Sequence, residues 1–164
     1  GERTKTGHVG VLGTIGTIAS QSFPIELSKF APDTVVHQHA CPMWVPLIEN
    51  QQHEHPAGQQ FIYEDVQAIL AQSSEIDTLL LACTHYPVLQ QQIEMLVGPT
   101  IQVVPQGPIV AEKLESYLFA HPEMEARLSK NGSVAYFTSE ATAVFNERAK
   151  SFLGDQVNSV HHSF

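Results

Sequence analysis

The chain has 164 residues, of which 43% are hydrophobic, and its formal net charge is −9. This length fits one domain, or one domain plus part of another, with enough apolar residues for a core. Only eight Lys and Arg are present, too few for the basic face of a nucleic-acid binder, and the apolar runs are too short to span a bilayer. The two cysteines, Cys41 and Cys83, cannot form a disulfide framework and fit a reducing, cytoplasmic setting.

Strand and helix patterns alternate along the chain. Short apolar or β-branched runs predict strands at residues 9–12, 34–40, 78–82, 101–104, 134–137 and 157–160. Helical spacing predicts helices at residues 18–30 (with Pro24 as an alternative start), 61–71, 88–97 and 108–118, and from a Ser139 cap through residue 152. Residues 50–60 are a predicted polar loop, and residues 120–132 a second break. The alternation predicts an α/β fold with a mostly parallel sheet and flanking helices.

Two polar motifs follow predicted strands, where parallel sheets bind their ligands. The first is the turn at residues 13–17, whose Thr14 and Thr17 hydroxyls and free amides suit an anion such as a carboxylate. It lacks the glycine and lysine pattern of a phosphate-binding loop. The alternative is an ordinary capped turn.

The second motif contains Cys83, which follows a buried strand and precedes a predicted helix. Helical amides and the positive end of the helix dipole favour a thiolate there. His85 is close enough in sequence to exchange a proton, and Thr84 can hold a carboxylate. The alternative is a buried structural cysteine. Glu49 can orient or share a proton with such a site, although most glutamates are solvated.

The histidines raise the alternative of a metal site. His37, His39 and Cys41 alternate along a predicted strand and would face the same side. Zinc accepts such ligands, but alternating residues on one strand are roughly 6.5–7 Å apart, which is wide for one ion. No compact zinc-binding pattern accompanies them. The sequence therefore predicts no metal site.

Three segments resemble, in order and spacing, signatures of the glutamate racemase family. They are residues 10–17, 41–49 and 81–87, and residues 135–139 resemble the family's last strand. The run Cys83-Thr84-His85-Tyr86 favours glutamate racemases over aspartate and hydantoin racemases. One departure is Pro105-Gln106-Gly107, where many members have Asp-Ser-Gly.

The resemblance implies a fold of two similar α/β lobes with the substrate between them. Residues 1–104 would form the second lobe, and residues 105–164 would return to the first. The rest of that lobe, which carries a second cysteine in the family, would lie upstream of Gly1. We therefore expect this chain alone to be an incomplete, inactive part of the enzyme.

The resemblance also implies a reaction. Glutamate racemases are isomerases that interconvert L- and D-glutamate with two bases and no cofactor, and so supply D-glutamate for peptidoglycan synthesis. Cys83 would be the base for the L-enantiomer, assisted by His85 and supported by Glu49. Thr14, Thr17 and Thr84 would contact the substrate. Glutamate is then the expected partner, and a homo-oligomer is compatible with the sequence.

Two other functions compete with the racemase. A non-enzymatic metal-binding or interaction module derived from the same fold is favoured if the chain is complete in the cell. A hydrolase that uses Cys83 as a nucleophile ranks third, because no oxyanion pattern accompanies the cysteine.

Overall fold

Strands and helices alternate in the computed structural model, which describes residues 3–154 and 157–163. The strands are β1 (His8–Gly13), β2 (Val35–Ala40), β3 (Thr78–Leu81), β4 (Gln102–Pro105), β5 (Tyr136–Thr138) and β6 (Ser159–His161). The helices are α1 (Ile15–Ala19), α2 (Ser22–Phe30), α3 (Trp44–Glu49), α4 (Pro56–Leu70), α5 (Gln90–Val97), α6 (Gln106–Ala120), α7 (Pro122–Glu125) and α8 (Thr142–Leu153). A 3-10 turn, Tyr86–Leu89, precedes α5. The predicted α/β class is confirmed.

The chain divides into two compact units, the first ending at Leu114 and the second beginning at Glu115. This division lies within α6. The lobe boundary that the resemblance implies after residue 104 stays a prediction.

The first unit contains a four-stranded sheet in the order β2-β1-β3-β4, with every neighbouring pair parallel. β1 and β3 occupy the centre and are almost entirely buried, which explains their continuous apolar sequences. Parallel pairing brings the carboxyl ends of all four strands to one edge. The polar motifs after β1 and β3 therefore share that edge.

The main core lies on the sheet face that α4 covers. Ile62, Val66 and Ile69 recur at helical spacing along α4 and are fully buried. They pack in one cluster with Leu79 and Leu81 of β3. A smaller cluster covers the opposite sheet face and contains Val9, Val11 and Ala82 with the half-buried side chains of Ile18 and Phe23.

Three predicted boundaries are wrong. Residues 50–60 are not all loop, because α4 begins at Pro56, whose fixed φ suits a first helical turn, and the His55 side chain caps that turn. One predicted helix at residues 18–30 is two helices, α1 and α2, joined through Gln21 with a left-handed backbone. Ser139 does not cap α8; the N-cap is Ala141, which has no capping side chain.

The second unit pairs its two short strands with each other. β5 and β6 are parallel, with Phe137 opposite Val160. The α8 residue Asn146 accepts a hydrogen bond from the Ser159 amide at 2.9 Å, which ties the helix to β6. Phe137 and Val160 are each about three-fifths exposed, at 61% and 60%. Among the described residues, no helix has the length and apolarity needed to cross a bilayer.

Candidate active site

The two polar motifs lie on adjacent strand ends of the sheet. Leu12 of β1 pairs with Leu81 of β3, and Thr14 and Cys83 each follow that pair by two residues. The Ala82 amide donates to the Leu12 carbonyl oxygen at 2.8 Å, which extends the pairing toward both motifs. The carboxyl edge of a parallel sheet is where such folds bind their ligands.

Cys83, His85 and Glu49 form a hydrogen-bonded series. The Cys83 Sγ atom lies 3.9 Å from His85 Nδ1, and His85 Nε2 lies 3.2 Å from Glu49 Oε1. The His85 and Glu49 side chains are 29% and 32% exposed, so the series is open to a small ligand while partly shielded from water. With Nε2–H donated to the carboxylate, Nδ1 presents its lone pair to the thiol. This arrangement can carry a proton between sulfur and imidazole.

Tyr86 fixes the segment that carries His85, and sequence reasoning gave it no role. Its side chain is fully buried, and its hydroxyl donates to the Cys41 carbonyl oxygen at 3.1 Å. Its ring packs against Trp44 of α3 with centroids 4.7 Å apart. Because Glu49 ends α3, these contacts link the Cys83–His85 segment to the helix that supplies the carboxylate.

The predicted substrate-binding threonines lie at the same sheet edge. Thr14 is the N-cap of α1: its Oγ1 accepts a hydrogen bond from the Thr17 amide at 3.2 Å and lies 2.9 Å from Thr17 Oγ1. Thr84 is exposed and directly follows Cys83. The hydroxyl pair explains the local turn, as the capped-turn alternative requires. It also presents two polar groups beside β1, as the substrate-binding hypothesis requires.

The other cysteine, Cys41, is in a different environment. It is 1% exposed and belongs to the main core. Burial, and to a lesser extent the nearby Asp65 carboxylate, raise the pKa of the Cys41 thiol far above its ordinary value. Cys41 therefore remains a protonated thiol and is unsuited to act as a base.

The histidines of β2 do not share one cluster. His37 lies against His8, with His8 Nδ1 3.1 Å from His37 Nε2. His39 instead pairs with Asp65 of α4, at 2.7 Å between Nε2 and Oδ1. Sequence reasoning missed Asp65, although its place between the buried Ile62 and Ile69 on α4 was a signal. Among the described residues, His39, Cys41 and Asp65 form the group whose ligand atoms lie close enough together to hold a metal ion.

Proteins similar to this chain carry the name glutamate racemase. No protein-family model matches the chain. Glutamate racemase from Streptococcus suis is 32% identical over 158 residues, which are 96% of this chain and 59% of the relative. The enzyme of that name from Shouchella clausii is 36% identical over 157 residues, which are 94% of this chain and 55% of the relative.

The chain is homologous to glutamate racemases over nearly all of its own length.

Solved glutamate racemase structures share the fold. The isoform RacE1 from Bacillus anthracis superposes with a TM-score of 0.83 at 27% identity, covering 99% of this chain and 59% of that one. The Francisella tularensis glutamate racemase, crystallised with D-glutamate, gives a TM-score of 0.74 at 21% identity and supports the fold alone. This chain therefore spans a little over half the length of the glutamate racemases it matches.

Proposed function

We propose that this chain supplies one acid–base side of a glutamate racemase that interconverts L- and D-glutamate without a cofactor. The observation that carries the proposal is the series Cys83–His85–Glu49, which joins a part-exposed thiol to an imidazole and a carboxylate at the carboxyl edge of the sheet. The family supports the choice of reaction. The relatives from Streptococcus suis and Shouchella clausii, which are 32% and 36% identical and carry the name glutamate racemase, support the choice of substrate.

The reaction begins with a thiolate. His85 Nδ1, which lies 3.9 Å from Cys83 Sγ, accepts the thiol proton, and the Glu49 carboxylate stabilises the resulting imidazolium. Cys83 Sγ then takes the α-proton of L-glutamate as the C–H bond breaks, and the electron pair moves onto the α-carbon and its carboxylate. A second acid on the opposite face returns a proton and gives D-glutamate. In the reverse direction Cys83 donates the proton.

The substrate carboxylates need hydrogen-bond donors at the site, because the chain as a whole carries a net charge of −9, which repels anions. Thr14, Thr17 and Thr84 supply hydroxyls on the strand ends next to Cys83. When glutamate binds, the Thr14–Thr17 hydrogen bond opens and one hydroxyl donates to a substrate oxygen. Fixed donors of this kind stabilise the charge that develops as the α-proton leaves.

The second base is not Cys41. A base on the opposite face must be accessible and must ionise, whereas Cys41 is buried and its pKa is raised. The matched relatives, of which this chain spans 55–59%, have additional length that can carry such a base. By this proposal the product D-glutamate is made in the cytoplasm and used for peptidoglycan.

Steady-state racemisation by the intact native protein, followed by circular dichroism from either enantiomer, tests the proposal. Cys83→Ser should lower kcat by at least about 100-fold in both directions, the low end of what one acid–base group contributes. Cys41→Ala, which removes the other thiol, should keep activity within about tenfold of wild type while the protein stays folded. A Cys83→Ser protein that keeps more than about a hundredth of wild-type activity would exclude Cys83 as a base.

Glu49 is a positioning residue in this scheme, since it acts through His85 at 3.2 Å. Glu49→Gln keeps an acceptor for the imidazole but removes the charge that stabilises imidazolium. We expect a fall in kcat of about tenfold with little change in KM. An unchanged kcat would contradict the role of Glu49.

A further inference from the structure

Three side chains with metal-ligating atoms converge on the side of the sheet covered by α4. His39 is in β2, Cys41 follows that strand, and Asp65 projects from α4. One ligand atom from each lies within 4.8 Å of the other two. The imidazole, thiol and carboxylate of these residues are all zinc ligands in proteins.

The cluster is enclosed on one side and open on the other. Cys41 is in the main core and is 1% exposed, while the His39 and Asp65 side chains are 25% and 18% exposed. An ion can therefore enter past the imidazole and the carboxylate and reach the sulfur. The open side leaves room for water as a fourth ligand.

The charges of the three groups match a divalent cation. A Cys41 thiolate and the Asp65 carboxylate carry two negative charges, and a neutral His39 adds none. Ion binding would release the thiol proton to solvent and form the sulfur–metal bond in its place.

The dimensions require only small movements. Zinc bonds of about 2.0–2.3 Å in a tetrahedral site place ligand atoms on the order of 3.5 Å apart. The present separations are at most 4.8 Å, and the hydrogen-bonded atoms His39 Nε2 and Asp65 Oδ1 are 2.7 Å apart. Side-chain movements of about 1 Å therefore bring the wider pairs closer and separate these two atoms. His39 and Asp65 can make these movements because both are part-exposed.

The geometry points to a Zn²⁺ site formed by His39, Cys41 and Asp65, apart from the Cys83 series. Strand spacing alone argues against such a site, because alternate strand residues are far apart. The carboxylate from a helix supplies the third ligand and changes that conclusion. His37, on the same strand, is paired with His8 and serves as a matched control.

Zinc titration of the purified chain, followed by calorimetry, tests this inference. Wild type and His37→Gln should bind one equivalent with the same affinity. His39→Gln and Asp65→Asn should each weaken binding by at least about 100-fold, since a lost ligand costs more than the roughly 10–100-fold cost of a lost outer partner. Both changed residues are part-exposed, and far-ultraviolet circular dichroism checks that each variant is folded.

Cobalt(II) identifies the sulfur. A thiolate-to-cobalt charge-transfer band should appear in wild type and in Cys83→Ser, and should disappear in Cys41→Ser. If the Cys41→Ser protein does not fold, loss of the band in folded His39→Gln and Asp65→Asn gives the same test. Three results would overturn the inference: no saturable binding below about 1 mM zinc, loss of the band in Cys83→Ser, or binding that survives both His39→Gln and Asp65→Asn.

Discussion

Gly58 of α4 packs against the backbone of the loop that precedes the helix. A Cβ atom built there would lie 2.1 Å from the Gln52 carbonyl oxygen, 3.0 Å from its carbon and 3.2 Å from His53 Cα. All three are backbone atoms, so no change of side-chain rotamer relieves the contact. Gly58→Ala must therefore move the loop that follows Glu49.

The cost follows from how far that loop must move. An ordinary carbon–oxygen contact is about 3.3 Å or longer, so the Gln52 carbonyl must retreat by about 1 Å. That carbonyl accepts a hydrogen bond from the His55 amide at 3.1 Å, which the movement weakens. Overpacking costs about 1–3 kcal/mol and the weakened bond about 1 kcal/mol, offset by up to about 1 kcal/mol from the higher helix propensity of alanine. The net destabilisation is about 2 kcal/mol.

Thermal unfolding measures this effect. For a chain of this size, about 2 kcal/mol corresponds to a fall in Tm of roughly 4–8 °C. Gly107→Ala is the matched control, because Gly107 is also in the first turn of a helix and its Cβ would meet no atom within 4 Å. The control should leave Tm unchanged or raise it. A Gly58→Ala protein as stable as the control would refute the steric argument.

Two further predictions concern Asp77 and the two thiols. Burial alone would raise the pKa of Asp77, but hydrogen bonds from Thr4, Thr6, Lys5 and Thr78 outweigh it and hold that pKa well below its usual range. Asp77 therefore stabilises the fold above about pH 4 and loses this effect as the pH falls further. Asp77→Asn should destabilise the chain by about 2 kcal/mol at pH 7. In urea unfolding, the difference in free energy of unfolding between wild type and Asp77→Asn should shrink below about pH 4. A difference that does not change with pH would contradict this. A thiol reagent should modify Cys83 quickly in the native chain but not Cys41, because Cys41 is 1% exposed. Cys83→Ser should therefore abolish the fast reaction. Rapid modification of Cys41 would instead show that the core around it opens.

The central strands could be predicted because strands that are buried on both faces have continuous apolar sequences. β1 and β3 are short apolar runs, and the structure confirms both. The start of α4 is harder to predict. Pro56 indicates a first helical turn, but the polar residues Gln59 and Gln60 that follow it are on the exposed side of the helix, and such polarity also indicates a loop.

In the candidate site, the local contact could be predicted from the sequence and the long-range contacts could not. His85 is two positions after Cys83, so their proximity follows from the chain itself. Glu49 lies 36 positions before His85 and reaches it only because Trp44 and Tyr86 pack α3 against the 3-10 turn. No periodicity encodes that contact. Residue type made Glu49 one candidate among many solvated glutamates, and the family resemblance gave it a role. No family motif includes Asp65. Its contact with His39 arises from the packing of α4 on β2, which the sequence does not encode locally.

The most direct test of the account is deuterium uptake at the α-carbon of glutamate in D2O, catalysed by the intact native protein and read by proton NMR. Racemisation by proton abstraction predicts that wild type converts L-glutamate into D-glutamate carrying deuterium at the α-carbon. Cys83→Ser should incorporate at least about 100-fold less deuterium from L-glutamate, because the base on that face is missing. Deuterium incorporation from L-glutamate at the wild-type rate in Cys83→Ser would contradict the assignment of Cys83, His85 and Glu49 as one acid–base side of the site.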